Sequence, residues 1–430
     1  MKHVLEAELT WTGDRFEPHI QVAVGDDGRI ETVGQLGREP TRRMPQQALL
    51  PGFVNAHSHA FQRGLRGSGE RFPAGAGSFW TWRNAMYELA DSLDPETAHA
   101  LYLRAFGEMR DAGITTCGEF HYLHHLGSTR DYEFDEVVLD AARQAGIRLA
   151  LLNAFYTTGG VGRALRPAQR RFESKDLPSY WAQMDRLQAC AEPQLQTVGV
   201  VAHSVRAAAL EAIIALHAEA QRRGLRFHMH VEEQRGEIEE CLAGYGRRPM
   251  ELLNEALTIG GNLTAVHCTH TDPRDMTRFL AAGGSVCVCP LTEGNLGDGL
   301  PALDLVHAAG GRLSLGTDSN ARISMLEEMR WLEYGQRLRR EQRGVLTDSG
   351  GRVATALLDA ATAGGAAALG VRTGRLQAGC WADFVAIDLE APSLAGLEPE
   401  NLLEGVIFGA GDKVIAGTMI AGGWRPTGGS

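Results

Sequence analysis

Eight short runs of almost unbroken apolar residues recur along the chain, each ending in polar residues and followed by a longer amphipathic stretch. They read LLPGFVNAHSH, ITTCGEFHY, RLALLNAFY, TVGVVAHSV, RFHMHVEE, LTAVHCTH, SVCVCPLT and RLSLGTDSN. A strand with one wet face alternates apolar and polar residues. A continuously apolar strand is covered on both faces, as in a parallel sheet flanked by helices. Between the runs lie helical patterns such as ETAHALYLRAFGEMRDAG and RAAALEAIIALHAEAQRRG, each closed by a Gly suited to a helix C-cap. Eight strand–helix units in succession predict an α/β fold, a (β/α)8 TIM-type barrel over residues 50–370. The flanks differ: EAELTWTG and IQVAVGDDGRIETVG within residues 1–49, and GRLQAGCWADFVAIDL and KVIAGTMIAGGW within 371–430, are hairpin-like. They predict a small β-sandwich domain assembled from both termini.

The polar residues gather at the C-terminal ends of the runs. His57 and His59 end the first, His121 and Tyr122 the second, and His203 the fourth; His230 and Glu233 end the fifth, His267 the sixth and Asp318 the eighth. A parallel barrel builds its sites on that rim. One histidine there is most simply a hydrogen-bonded structural residue, but tips from six strands on one rim are not. His57-x-His59 puts two imidazoles on one side of an extended chain, because strand side chains alternate with a period of two. With His230 and Asp318 they form a donor set for Zn²⁺, one ion per chain; imidazole and carboxylate also accommodate iron. The seven cysteines are odd in number and mostly lie within apolar runs, so buried reduced thiols are expected. Cys287-x-Cys289 in SVCVCP reads as core packing.

A formal net charge of −11 excludes a phosphate-backbone binder. It leaves room for a small anionic substrate, since a local arginine cluster overrides the overall sign. No apolar run reaches the roughly 18 residues of a membrane helix, and the first residues lack a signal-peptide core. A cytoplasmic protein with no membrane partner is expected.

Several of these segments carry a resemblance. Pro51-Gly52-Phe53-Val54-Asn55-Ala56-His57-Ser58-His59, His230 with Glu233 three residues on, His267, Gly316-Thr317-Asp318 and Gly379-Cys380-Trp381-Ala382-Asp383-Phe384-Val385 resemble the amidohydrolase superfamily over essentially the whole chain. The binuclear members bridge their metals with a carboxylated lysine at the fourth strand. Here the three lysines are Lys2, Lys175 and Lys413, none at a strand tip. The resemblance therefore implies the mononuclear branch, in which His-x-x-Glu marks deaminases. A metal held by three imidazoles and a carboxylate brings the pKa of a water to about 7, and attack on a C=N carbon then needs a base and an acid. Asp318 suits the base, His267 the orienting group and Glu233 the acid, while Glu232 alternates to the opposite side. Cysteine-ligated nucleobase deaminases are excluded, because no Pro-Cys-x-x-Cys follows His230-Val231-Glu232.

For the substrate, Arg206 near the fourth tip is suited to grip a carboxylate, although an arginine there can equally cap surface acids. Arg83 in SFWTWRNAMYELA offers a second clamp, Tyr122 a hydroxyl and Gln62 an amide donor. The segments HSHAFQRG, EFHYLHH and HMHVEEQ are similar to those superfamily members that hydrolyse the formimino group of N-formimino-L-glutamate in histidine breakdown. That resemblance implies substrate binding by Gln62, Arg83, Tyr122, His203 and Arg206, and a homodimer. The Gly-rich loop 67–79 is placed to close over the site, and His124 and His125 either line it or, the simpler expectation, face solvent. Rival readings are deamination of a ring such as guanine, cytosine or S-adenosylhomocysteine, hydrolysis of an amide, and a metal-free scaffold.

Overall fold

The computed structural model describes residues 3–68, 70, 72, 77–127 and 129–427. Its eight apolar runs form eight parallel strands: β1 (Phe53–Ser58), β2 (Ile114–His121), β3 (Arg148–Phe155), β4 (Gln196–Ala202), β5 (Phe227–Val231), β6 (Leu263–His267), β7 (Ser285–Val288) and β8 (Arg312–Leu315). Each pairs with its neighbours in sequence order. Every residue of β1, β2 and β3 is buried, as strands covered on both faces require. The ring is joined just beyond β8, where Ser58 bridges Asp318 in parallel. There the His59 N–H donates to the Asp318 carbonyl at 2.8 Å and the Asp318 N–H to the His57 carbonyl at 3.0 Å. The two strands most distant in sequence thus meet through the backbone of three of the predicted metal ligands.

The helices follow the amphipathic stretches. Between β1 and β2 lie two, α1 (Phe79–Ser92) and α2 (Pro95–Asp111). Asp94 caps α2, accepting from the Thr97 N–H at 2.8 Å, with Pro95 at the first helical position. Gly113 follows it in the left-handed region at φ 80°. The pattern at 206–224 becomes a helix only from Leu210 to Arg222. Residues 206–209 instead turn away from β4, which leaves Arg206 on the rim rather than on the helix surface.

Both termini contribute to a second, mixed eight-stranded sheet. His3–Trp11, Phe16–Glu17, Gln21–Val24, Ile30–Gly34 and Arg42–Pro51 come from the N-terminal side, and Phe384–Asp388, Ile415–Ile420 and Gly423–Pro426 from the C-terminal side. Phe384–Asp388 lies antiparallel on Arg42–Pro51. This sheet has its own core of Leu5, Val22, Val24, Met44, Leu49 and Phe384. Arg42–Pro51 runs almost directly into β1, with Gly52 between; a Cβ there would lie 2.2 Å from Thr115 Oγ1, so only Gly permits the passage. The seven cysteines are all free, and Cys287 and Cys289 pack against Ala56, Val266 and Ala368 as expected of core residues. Among the described residues no helix is long and apolar enough to cross a membrane.

One buried ion pair locks sheet to barrel. Arg148 at the start of β3 donates through Nε and Nη2 to the two carboxylate oxygens of Asp383, at 2.7 and 3.0 Å. Asp383 also accepts from Thr373 Oγ1 and the Ala421 N–H, both at 3.0 Å. Trp381 covers the Arg148 guanidinium at 4.3 Å. Removing one partner of a buried pair leaves an uncompensated charge, which costs about 3–5 kcal/mol. Asp383→Ala is therefore expected to lower the midpoint of urea unfolding markedly, whereas removal of an exposed pair such as Arg375 with Asp359 is expected to move it little.

Candidate metal centre and pocket

At the C-terminal rim the histidines of β1 and β5 face one another. His57 Nε2 lies 3.2 Å from His230 Nε2, and the Nε2 atoms of His57 and His59 each lie 3.4 Å from Asp318 Oδ1. The tautomers of two of them are fixed by the backbone. His59 Nδ1 lies 2.7 Å from the Phe120 carbonyl and His230 Nδ1 3.1 Å from the His203 carbonyl. A carbonyl only accepts, so both Nδ1 atoms carry the proton and both Nε2 atoms turn a lone pair inward. Burial holds His57, His59 and His230 below the usual imidazole range, His59 at about 3. Burial alone would raise Asp318, but the hydrogen bond and charge of His57, followed by His267 and His59, hold its carboxyl well down.

These four donors fit a zinc-type ion. Tetrahedral ligands at about 2.0–2.1 Å from an ion stand about 3.3 Å from one another, which matches the separations above. His57, His59, His230 and Asp318 are thus brought together as predicted.

The acid–base candidates surround this cluster. His267 Nδ1 meets Glu293 Oε1 at 3.2 Å, and its Nε2 faces Asp318 Oδ2 at 3.8 Å. Burial works against the imidazolium, but Glu233, Glu293 and Asp318 outweigh it and hold His267 well above its usual range. After β5 the chain turns at Glu232, whose φ is 54°. This turns Glu232 away to Arg248, 3.5 Å distant, and leaves Glu233 lining the pocket. Burial raises Glu233, with His267 and Arg206 opposing. His267 and Asp318 are also left-handed, at φ 73° and 44°. Such strain in non-glycine residues gathers where a site over-determines the backbone.

A pocket beside the cluster is lined by His59, Gln62, Arg83, Tyr122, His203, Arg206, His230, Glu233 and Asp318, together with the aromatic residues Phe79, Trp82, Tyr87, Tyr156 and Phe172. All five predicted substrate-binding residues face it. Gln62 Nε2 donates to the Tyr122 hydroxyl at 2.6 Å. Arg206 is buried, not a surface cap, with Nη2 3.7 Å from Glu233 and Nε 3.9 Å from Glu237. Arg83, carried on α1, lies over Trp80 at 4.3 Å. Closure of the loop 67–79 rests on residues 69, 71 and 73–76, which lie outside the described residues.

One expectation is corrected. His124 and His125 do not face solvent: both are fully buried. His124 Nδ1 meets Asp135 Oδ1 at 2.8 Å beside His121 at 3.1 Å, and His125 Nε2 meets the Glu173 carbonyl at 2.8 Å. His124 is held by Asp135, a buried carboxylate in the helix Glu133–Ala145, and His125 by the Glu173 carbonyl and the Tyr132 N–H. Asp135 needs hydrogen-bond donors and takes two more from Asn153 and Gln183. Its oxygens are already satisfied, so this second His/Asp group is structural.

Other residues escaped the sequence. Phe120 supports His59 through its carbonyl and packs on His230 with ring centroids 4.2 Å apart. Asn55 bonds the N–H and hydroxyl of Thr317 at 3.0 and 2.7 Å, and Thr317 donates to Asn320 at 2.6 Å. This network braces the turn carrying Asp318. Asn55 and Thr317 sat inside motifs already recognised, but nothing in their spacing tied one to the other.

The amidohydrolase family model matches residues 48–425. The formimidoylglutamate deiminase of Pseudomonas aeruginosa is 40% identical over 97% of this chain and 93% of its own length. A 5-methylthioadenosine/S-adenosylhomocysteine deaminase of Desulfovibrio desulfuricans is 30% identical over 87% of this chain and 78% of its own. Among solved structures, an amidohydrolase from Brucella melitensis superposes with a TM-score of 0.89 at 33% identity, covering 99% of this chain and 94% of that one. An adenosine deaminase from Xanthomonas campestris with bound zinc gives 0.83 at 25% identity, covering 98% and 92%. The chain belongs to the amidohydrolase family.

Proposed function

We propose that this protein hydrolyses the formimino group of N-formimino-L-glutamate, giving N-formyl-L-glutamate and ammonia, a step of histidine breakdown. The observation that carries the reading is the pairing, in one pocket, of a four-donor metal cluster with two arginines, Arg83 and Arg206. An acidic amino acid bearing a C=N group needs both. The 40% identical deiminase supports the same substrate. A deaminase of an uncharged ring such as guanine or cytosine has no use for two cations, and S-adenosylhomocysteine, for which a 30% identical relative is named, carries one carboxylate against the two of the formimino substrate.

In this reading His57, His59, His230 and Asp318 hold one Zn²⁺, whose chemistry is to acidify a water to near neutrality. Asp318 takes the proton of the attacking water. His267, fixed by Glu293, orients that water against the imine carbon. Glu233 places a proton on the nitrogen that leaves as ammonia, and burial shifts its carboxyl upward, in the direction an acid needs. Arg83, Arg206, His203, Tyr122 and Gln62 hold the glutamyl part. A cytoplasmic homodimer completes the reading.

The test is ammonia release by the purified, zinc-loaded protein from N-formimino-L-glutamate, guanine, cytosine and S-adenosylhomocysteine. Turnover of the formimino compound alone, abolished by chelator and restored by zinc, is the expected result. Turnover of guanine or cytosine instead would keep the metal chemistry and discard the roles of the arginines; turnover of S-adenosylhomocysteine, which carries a carboxylate of its own, would keep both and discard the formimino substrate.

A further inference from the structure

The third strand is one of two whose tips were given no chemistry, and Tyr156 directly follows its last residue, Phe155. We propose that Tyr156, keyed by Gln169, is a third donor to a substrate carboxylate, beside Arg83 and Arg206. The inference rests on the acidic-substrate reading above and adds to it a specificity-determining residue.

The polarity of two linked hydrogen bonds sets the direction of the phenolic proton. Gln169 lies in the short 3-10 segment Pro167–Phe172, is buried, and its Oε1 accepts the Arg166 N–H at 2.9 Å. That bond fixes which end of the amide is oxygen. The other end, Nε2, therefore donates, and its partner at 2.7 Å is the Tyr156 hydroxyl. A phenol that accepts from an amide must send its own proton elsewhere. Among the described residues none takes that proton in a hydrogen bond, and Tyr156 is only 6% exposed. A buried donor without a partner is expensive and calls for an acceptor in the bound state.

The surroundings name the acceptor. Tyr156 lines the same pocket as Arg83 and Arg206, and its ring meets His203 edge-on with centroids 5.0 Å apart. Burial raises the phenol, so it stays a donor at neutral pH. A cationic pocket with one more O–H aimed at no protein group suits a carboxylate oxygen. The backbone holds the ring in place: the Tyr156 N–H donates to Ser174 Oγ at 3.2 Å, and its carbonyl accepts from the Ser174 N–H at 2.7 Å.

Two variants and two analogues test this. A hydrogen bond to a charged group corresponds to a factor of about ten or more, so Tyr156→Phe is expected to raise KM about tenfold with kcat nearly unchanged. Gln169→Glu keeps the phenol but replaces its N–H partner by an acceptor that captures the phenolic proton; KM is expected to rise comparably. Melting temperatures of both variants check that folding is intact. With N-formimino-L-glutamine and N-formimino-L-isoglutamine, each lacking one carboxylate, the Tyr156→Phe penalty is expected to vanish for one and persist for the other. An unchanged KM in Tyr156→Phe, or a penalty that persists with both analogues, overturns the assignment. If Arg206→Ala raises KM and Tyr156→Phe does not, this inference falls alone. If the wild-type protein turns over no formimino compound, the substrate reading falls and takes it along.

Discussion

Glu233→Gln is expected to lower kcat on the formimino substrate by a factor of about 10² to 10⁴, the usual contribution of a positioned general acid. The amide keeps the size of the side chain and its place beside Arg206, but it has no proton of suitable acidity for the departing nitrogen. Because Glu233 is not in the donor set, zinc content measured on the purified variant should equal that of the parent. Normal metal content with normal turnover would remove Glu233 from the mechanism. Glu232→Gln is the informative control, since that side chain pairs with Arg248 on the other side of the turn and should leave kcat in place.

Arg206→Ala is expected to depress kcat/KM by about two to three orders of magnitude, from the loss of a charge-assisted grip on a carboxylate. The effect has two sources, which KM and kcat measured separately distinguish. Arg206 faces the substrate, and it also sits between the buried carboxyls of Glu233 and Glu237, holding back the rise that burial imposes on both. Glu237 stands at about 7 even with the arginine beside it. A loss confined to KM would place Arg206 with the substrate alone; a loss shared with kcat would show that it also sets the proton affinity of Glu233. No change in either would deprive the acidic-substrate reading of its main support.

Much of this was legible in the sequence because the barrel converts chain order into geometry. A histidine written at the end of an apolar run is a histidine on the rim, so His57, His59, His230, His267 and Asp318 could be gathered before any coordinate was known. What the run of letters hides is backbone. Phe120 matters to His59 through its carbonyl, and a carbonyl has no letter. Arg83 reaches the pocket from α1, whose angle depends on packing. His124 and His125 looked solvent-facing because they follow a strand end, yet Asp135 holds the first inside and the Glu173 carbonyl the second. Tyr156 was passed over because a tyrosine at a strand tip looks like any aromatic of the core until the polarity of its hydrogen bond is known.

The seam at Ser58 and Asp318 carries a consequence for how the protein reaches its working form. Strands β1 and β8 are separated by most of the chain, and contacts of such sequence separation are the slowest to form. Successive strand–helix units can assemble locally, in order, and generate nearly all of the helical signal. The donor set cannot exist until the first and last units meet. On refolding from denaturant, recovery of enzymatic activity should accordingly lag recovery of circular dichroism, and a nascent chain still lacking its eighth strand would be well ordered yet catalytically silent.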